Sequence, residues 1–546
     1  MRRQRVELVV TGQVVLRVVA DGSVETAEAI GIGAGRVVVA GTVADVQHAA
    51  PASSIIRFPG SAVVPGLHDF HLHLVGMARQ RREASLDGLR GEELVAALAA
   101  AAERLPPHAW LRGRGWSEDA LAGGTLWRLN ALLGHRPALL YSHDAHSAWA
   151  SPAALVRAGI GAGSGDPAGG RIERDGSGNP TGVLRETATD LVEACAERLR
   201  GAALDAALDE VLAELAGWGV TGATDAGDTA AENGTGAHAA LGDRASLLLG
   251  ARSRLEGRLR LAIGFPADAI GDAAALGLRT GAVVDTEATT LRAGWAKAYA
   301  DGALGSRTAA LFEPYSCEPH DTGILRLQPD QLDRLIAQSR ETGIGLAVHA
   351  IGDRAAAAVL DAEERANRLA RVPGAPPDRI EHLQLLRPGD RRRLARLGLT
   401  ASMQPGHCAA DREHVGRCWS DRAALAYPWR SLRGAGARLA FGSDAPIETA
   451  NPWAAIFAAA HRRWPGDGTP DWQPHEALSP AEALGAYTIG PATAAERPDE
   501  GHLRPGAVAD LAVLDADLAT VLAGDERTAA IRSVLTLVGG REMHRS

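Results

Sequence analysis

The segment Asp69-Phe70-His71-Leu72-His73 closes an apolar run, Ala62-Val63-Val64-Pro65-Gly66-Leu67. Such a run predicts a β-strand, whose side chains alternate between faces. His71 and His73 then leave its end on one face while Leu72 points into the opposite packing layer. Two imidazoles so placed can converge on one metal ion. Two ligands are too few for a tight site, so the reading depends on what lies downstream.

Three later strand-like segments each end in a residue suited to the same centre. Gly345-Leu346-Ala347-Val348 runs into His349, Asp378-Arg379-Ile380-Glu381 into His382, and Arg438-Leu439-Ala440-Phe441-Gly442-Ser443 into Asp444. Residues this far apart meet only in a fold that gathers its strand ends, and the C-terminal mouth of a (β/α)8 barrel does so. Lys297 sits inside another apolar stretch, Trp295-Ala296-Lys297-Ala298-Tyr299-Ala300-Asp301-Gly302. Read alone it is a strand-end cation. In this context a desolvated amine has a lowered pKa, and its carboxylation on Nζ would turn it into a carbamate able to bridge two cations.

These residues, with Pro65-Gly66-Leu67-His68 before the first motif, Asp301-Gly302-Ala303-Leu304-Gly305-Ser306-Arg307, His349-Ala350-Ile351-Gly352-Asp353-Arg354, Gln404-Pro405-Gly406-His407, Gly442-Ser443-Asp444-Ala445-Pro446 and Gly506-Ala507-Val508-Ala509-Asp510, follow one another across nearly the whole chain. In that order they resemble the amidohydrolase superfamily, and within it family 3, the YtcJ-like amidohydrolases. The resemblance implies a (β/α)8 TIM barrel of the α/β class. It also implies a metal set of His71, His73, carboxylated Lys297, His349, His382 and Asp444, and a small β-sandwich domain that combines both chain ends.

The expected boundaries are 1–60 with 500–546 for the discontinuous β-sandwich domain, 61–499 for the barrel, and 75–205 for an insertion after barrel strand 1. Barrel strands are expected at His71, Val220–Asp225, Arg258–Ile263, Lys297, His349, His382, Thr400–Gln404 and Asp444, with helices over Leu204–Trp218 and Gln331–Thr342. A connection as long as the insertion must carry structure of its own. It holds Trp110, Trp116, Trp127 and Trp149, four of the chain's 11 tryptophans. Either they wall the pocket or they form the insertion's own core. Where family 3 commonly has Asp-Gly-His, this chain has Asp144-Ala145-His146, and Ala150 stands where Asn is common.

Composition narrows the class. The 546 residues, 46% hydrophobic and 23% charged, suit a large globular protein rather than a disordered chain. A formal charge of −9 gives no basic footprint for nucleic acid. The substrate is expected to be a small, uncharged or amide-like molecule, and a homo-oligomer is left open. Cys195, Cys317, Cys408 and Cys418 are scattered, which reads as free thiols in a reducing, cytoplasmic setting. Cys408 is notable only because it follows His407. Met1-Arg2-Arg3-Gln4-Arg5 followed by Val6-Glu7-Leu8-Val9-Val10 has the outline of a signal peptide. Glu7, Gln13, Arg17 and Asp21 break it, Thr11-Gly12 reads as a turn, and no apolar stretch of membrane-spanning length occurs elsewhere.

The chemistry expected from the resemblance is hydrolysis of a non-peptide carbon–nitrogen bond, in an amide, an N-substituted formamide or a cyclic amide. One or two divalent ions, Zn²⁺ foremost, would lower the pKa of bound water toward about 7 and make a hydroxide nucleophile. Asp444 would serve as general base and then acid, Lys297 as bridging ligand, and His407 as oxyanion donor or substrate contact. His146, Glu186, Asp301, Arg307 and Gln404 are the candidate substrate contacts. Glu186, in Thr181-Gly182-Val183-Leu184-Arg185-Glu186, is an alternative bridging carboxylate or a salt-bridged structural residue. Two other readings remain: a mononuclear deaminase of an amino-heterocycle, disfavoured because no Glu follows His349 at the required spacing, and a non-catalytic metal-binding regulatory scaffold.

Overall fold

The computed structural model describes residues 5–19, 22–50, 53–122, 124–227, 236–284 and 289–546. The basic Met1-Arg2-Arg3-Gln4 start and Asp21 lie outside the described residues. Three sheets organise the chain. Strands β1 (Leu8–Val18), β2 (Val24–Gly33), β3 (Arg36–Gly41) and β4 (Ser54–Pro65) open it, and the chain then enters barrel strand β5 (Leu67–Leu72). The insertion contributes β6 (Ala84–Ser85), β7 (Leu111–Trp116), β8 (Ala138–Ser142), β9 (Ser147–Ala150), β10 (Gly170–Arg174) and β11 (Pro180–Glu186). The barrel continues with β12 (Val220–Asp225), β13 (Arg260–Pro266), β14 (Leu291–Tyr299), β15 (Leu346–Ala350), β16 (Arg379–His382), β17 (Thr400–Met403) and β18 (Arg438–Phe441). The chain closes with β19 (Leu511–Leu514), β20 (Ser533–Val538) and β21 (Arg541–Arg545).

Eight strands, in the order β18-β17-β16-β15-β14-β13-β12-β5, form the barrel sheet, and every hydrogen-bonded neighbour pair is parallel. Helices such as Gly201–Gly217 and Pro329–Thr342 cover it, and their apolar stripes (Leu204, Leu208, Val211, Leu215; Leu332, Ile336) are buried in the main core. The last helix carries a capping box between Gln328 and Gln331, with Pro329 in its first turn and Gly343 in the left-handed conformation after its end. The seam between β18 and β5 is joined just beyond β18. Asp444 N donates to His71 O at 2.6 Å and His73 N to Ala445 O at 2.7 Å. Gly442 makes that approach feasible, because a Cβ there would lie 2.3 Å from His71 N.

Strands from both chain ends pair in one seven-stranded sheet, β21-β20-β19-β4-β1-β2-β3. Strand β1 runs through Thr11-Gly12 instead of turning there. The register shifts by a bulge between Thr11 and Val14, since a Cβ on Gly12 would sit 2.9 Å from Ser61 O. The insertion forms a six-stranded sheet, β10-β11-β9-β8-β7-β6. Trp116 and Trp149 lie in one of its apolar cores and Trp110 in the other, while Trp127 is 74% exposed. Trp110, Trp116 and Trp149 therefore serve the insertion's own packing, and none of the four lines the cavity at the barrel mouth.

Among the described residues no helix is long and apolar enough to cross a membrane. The thiol reading needs correction. Cys317, in the loop after β14, and Cys418, at the end of helix Arg412–Cys418, form a disulfide. The expectation of free thiols holds only for Cys195 and Cys408, and the ground for a cytoplasmic setting goes with it, because disulfides are rare in the cytosol. Cys408 is fully buried, and burial pushes its thiol up to about 12, so it is unreactive. Non-reducing peptide mapping should recover Cys317 and Cys418 in one linked peptide. Cys317→Ser should lower stability by about 2–4 kcal/mol in a denaturant titration, the usual effect of opening a long cross-linked loop.

Candidate metal centre

The expected ligands arrive at one mouth. His71 is on β5 and His73 caps the helix that follows; Lys297 is on β14, His349 on β15 and His382 ends β16. Asp444 follows β18. Metal-donor atoms of His71, His382 and Asp444 lie within 4.8 Å of one another, and all three residues are buried. Asp444 Oδ1 is 3.3 Å from His71 Nε2 and 3.1 Å from His73 Nε2, while Lys297 Nζ is 3.5 Å from His71 Nε2. The His349 ring centroid is 4.5 Å from that of His382.

Each histidine is aimed by a partner on its other side. His71 donates Nδ1–H to Glu381 Oε2 at 2.5 Å, so Nε2 keeps its lone pair for the centre. His382 donates Nδ1–H to Gln404 Oε1 at 2.9 Å, with the same result. His349 Nε2 donates to Gly302 O at 3.1 Å, leaving Nδ1 as its basic nitrogen. Arg244 Nη1 reaches His73 Nδ1 at 2.7 Å. His71, His349 and His382 each keep one basic nitrogen with the other anchored, and with the Asp444 carboxylate they suit a divalent cation such as zinc.

Burial governs the electrostatics. It holds His73 down to about 3 and His349 and His382 well below the usual imidazole value, so these rings are neutral. It pushes the Lys297 amine down to about 8. Burial opposes the charge of Asp444, but the neighbouring imidazoles, His71 first and then His407 and His73, outweigh it and keep the carboxyl well below its normal range. For His407 burial favours the neutral ring, yet Asp444 and Glu448 raise it to about 10. His407 Nε2 donates to Asp444 Oδ2 at 3.0 Å, and its Nδ1 lies 3.6 Å from Glu448 Oε1.

Five candidate substrate contacts divide. His146 and Glu186 line the cavity at the barrel mouth, a space of about 240 Å³ that the candidate metal ligands also line; Asp301, Arg307 and Gln404 do not. Asp301 is fully buried and accepts the backbone N–H of Ala310, Ile351 and Gly352 at 2.8–3.0 Å, so it latches the β14 loop to the end of β15. Gln404 is committed to His382. Glu186 has both oxygens occupied, by Thr308 Oγ1 at 2.5 Å, His146 Nδ1 at 3.1–3.2 Å and Arg326 Nη1 at 3.1 Å. Those are the contacts of a salt-bridged residue in the cavity wall. Ala145 has φ 58°, which accounts for the glycine that this turn commonly carries. Left-handed backbone also occurs at Glu186, Arg307, His382 and Asp444, the concentration of strained residues typical of functional sites.

Sequence reasoning missed Glu381. Its signal was available: a carboxylate one residue before a ligand on the same strand, beside Arg379. It also missed Glu448, which joins His407 to His143 of the insertion, 3.1 Å away. Glu381→Gln keeps the side-chain volume but removes the acceptor charge behind His71 and the counter-charge of Arg379, so a thermal melt must first verify that the variant folds. Metal affinity measured by competition with a chelator should fall about 10–100-fold, as for other residues that support metal-bound histidines.

A profile of the amidohydrolase family matches residues 59–544. Protein LONG AFTER FAR-RED 3 of Arabidopsis thaliana is 31% identical over 96% of this chain and 89% of its own length. The putative amidohydrolase YtcJ of Bacillus subtilis is 32% identical over 86% and 87%, and the N-substituted formamide deformylase of Arthrobacter pascens is 29% identical over 93% of both. The crystal structure of an uncharacterized metal-dependent hydrolase from Pyrococcus horikoshii superposes with a TM-score of 0.74, at 24% identity, over 95% of this chain and 99% of that one. The strand-end histidines, the aspartate beyond the last barrel strand and a match that runs almost from end to end place this chain in the amidohydrolase family.

Proposed function

We propose that the protein hydrolyses a carbon–nitrogen bond other than a peptide bond, in an amide, an N-substituted formamide or a cyclic amide, with bound Zn²⁺. The observation that carries the reading is the convergence of His71, His382 and Asp444 donor atoms within 4.8 Å at the barrel mouth. His73 and His349 complete the imidazole set. Lys297, buried beside His71, is suited to carboxylation because its amine is already lowered to about 8 by burial. The similarity to an N-substituted formamide deformylase supports the formamide class. When bound, a divalent cation acts as a Lewis acid on water and on the substrate carbonyl.

The chain's own residues then divide the work. Asp444, ionised and held at Oδ2 by His407, takes the proton that the attacking water gives up and returns it to the departing nitrogen. His407 is protonated and lines the cavity, so it offers positive charge where the carbonyl oxygen becomes negative. Glu381 and Gln404 keep His71 and His382 in the tautomers that face inward. The wall formed by His146, Glu186 and Arg326 closes the side of the cavity nearest His349, whose ring centroid is 5.1 Å from that of His146.

Elemental analysis of the purified protein and of Lys297→Ala tests the centre. Two ions per chain, falling to one or none in the variant, support the bridged arrangement, and chelation should then abolish turnover of a panel of amides and formamides. One ion per chain that survives Lys297→Ala would sink the bridge. Metal-loaded protein inert on the whole panel would sink the hydrolase reading.

A further inference from the structure

The insertion contributes to the cavity an arginine that, among the described residues, is held by no ion pair. On β7, Leu111 packs into the insertion core while Arg112 and Arg114 alternate onto the other face and line the main cavity. Arg112 is held by Glu83 at 3.1 Å and by Glu193 at 2.9 Å. The other arginines of the wall are likewise engaged: Arg79 and Arg198 with Asp243, Arg326 with Glu186, and Arg244 with His73 and Gly227 O. Arg114 differs. Its guanidinium carbon lies 5.5 Å from the ring centroid of Tyr141, the residue opposite it on β8. Its Nε is buried without an acceptor, and among the described residues no carboxylate or carbonyl receives its side chain.

An arginine at the wall of a polar cavity without a counter-charge is costly to keep. Resting one face on an aromatic ring leaves the guanidinium edge free, and that edge is a planar fork of donors matched to a planar oxyanion. A carboxylate on a ligand would supply the missing acceptors. Resting on the hydrolase reading, we propose that Arg114 binds a carboxylate carried by the substrate, so that the amide hydrolysed bears an acidic group remote from its scissile bond. An N-acylated amino acid or a monoamide of a dicarboxylic acid has this form. Such a molecule spans two parts of the protein, its amide at the barrel mouth and its carboxylate on the insertion. The uncharged substrate expected from net charge alone is thereby replaced: the relevant charge is local to β7, and a formal total of −9 does not reveal it.

The test uses ligands with no bond to hydrolyse, so it reads binding independently of turnover. Isothermal titration of the zinc-loaded protein compares 4-phenylbutanoate with 4-phenylbutan-1-ol, in wild type and in Arg114→Gln. The carboxylate should bind about tenfold tighter than the alcohol or better, the factor that a charge-assisted hydrogen bond supplies, and Arg114→Gln should remove most of that preference. Arg114→Lys, which keeps the charge and loses the fork, should fall between the two, and thermal melts of the variants verify that they fold. Equal binding of the two ligands in wild type overturns the proposal. So does a carboxylate preference that survives Arg114→Gln, since the carboxylate would then sit on the metal centre. Absence of turnover on amides would count against the hydrolase reading alone, without touching this result.

Discussion

The barrel mouth depends on one buried chain of charge. Arg379, Glu381 and His71 are each 1% exposed or less. Arg379 Nε lies 2.6 Å from Glu381 Oε1, and its guanidinium rests on the rings of Phe70 and Trp295 at 4.4 and 4.7 Å. Burial alone would neutralise Glu381, but Arg379 and His71 hold its carboxyl down to about 2, so it stays charged. Removing one member of such a group leaves an uncompensated charge in a dry interior, which costs far more than the group adds to stability when intact. The cluster is retained for what it positions: the tautomer and direction of His71, around which the other ligands are placed.

Closure of the barrel and construction of the site are one event. The bonds that join the end of β18 to β5 run between Asp444 and His71 and between His73 and Ala445, so the seam is made by the candidate ligands themselves. Asp69 strengthens it by accepting the backbone N–H of Ser443 at 2.9 Å and of His71 at 3.2 Å. Disturbance of strand closure is therefore transmitted directly to the donor atoms. Backbone strain at His382 and Asp444 persists because the surrounding bonds over-determine both residues.

The barrel was legible because its signals are local and repeated: an apolar run ending in a histidine, lysine or aspartate marks a strand and its mouth at once. Strand β12 falls on Val220–Asp225 as read from sequence, and helix Pro329–Thr342 differs from its expected range only at the start. What could not be read depends on pairing between distant residues. Asp301 and Gln404 are polar residues in the right loops, and only coordinates distinguish a latch on backbone amides, or a support for His382, from a substrate contact. Tryptophan in the insertion left a pocket wall and an internal core both open; Trp149 packs inward, and a register shift between Arg114 and Trp116 turns Trp116 into the core while Arg112 and Arg114 face the cavity. The Cys317–Cys418 bond escaped notice because a separation of 101 residues says nothing about distance in space.

The sheet shared by the two ends sets an order of assembly. Strand β4 lies between β1 and β19, and it leads through Gly66 directly into β5. During synthesis β4 can pair with β1 early, but its other edge stays open until residues 511–514 have left the ribosome. For most of translation the nascent chain therefore carries an exposed strand edge next to the His71–His73 segment, a surface open to pairing with other chains. Chaperone demand should accordingly be set by the late arrival of β19, while the barrel strands follow one another in sequence and can pair as they emerge.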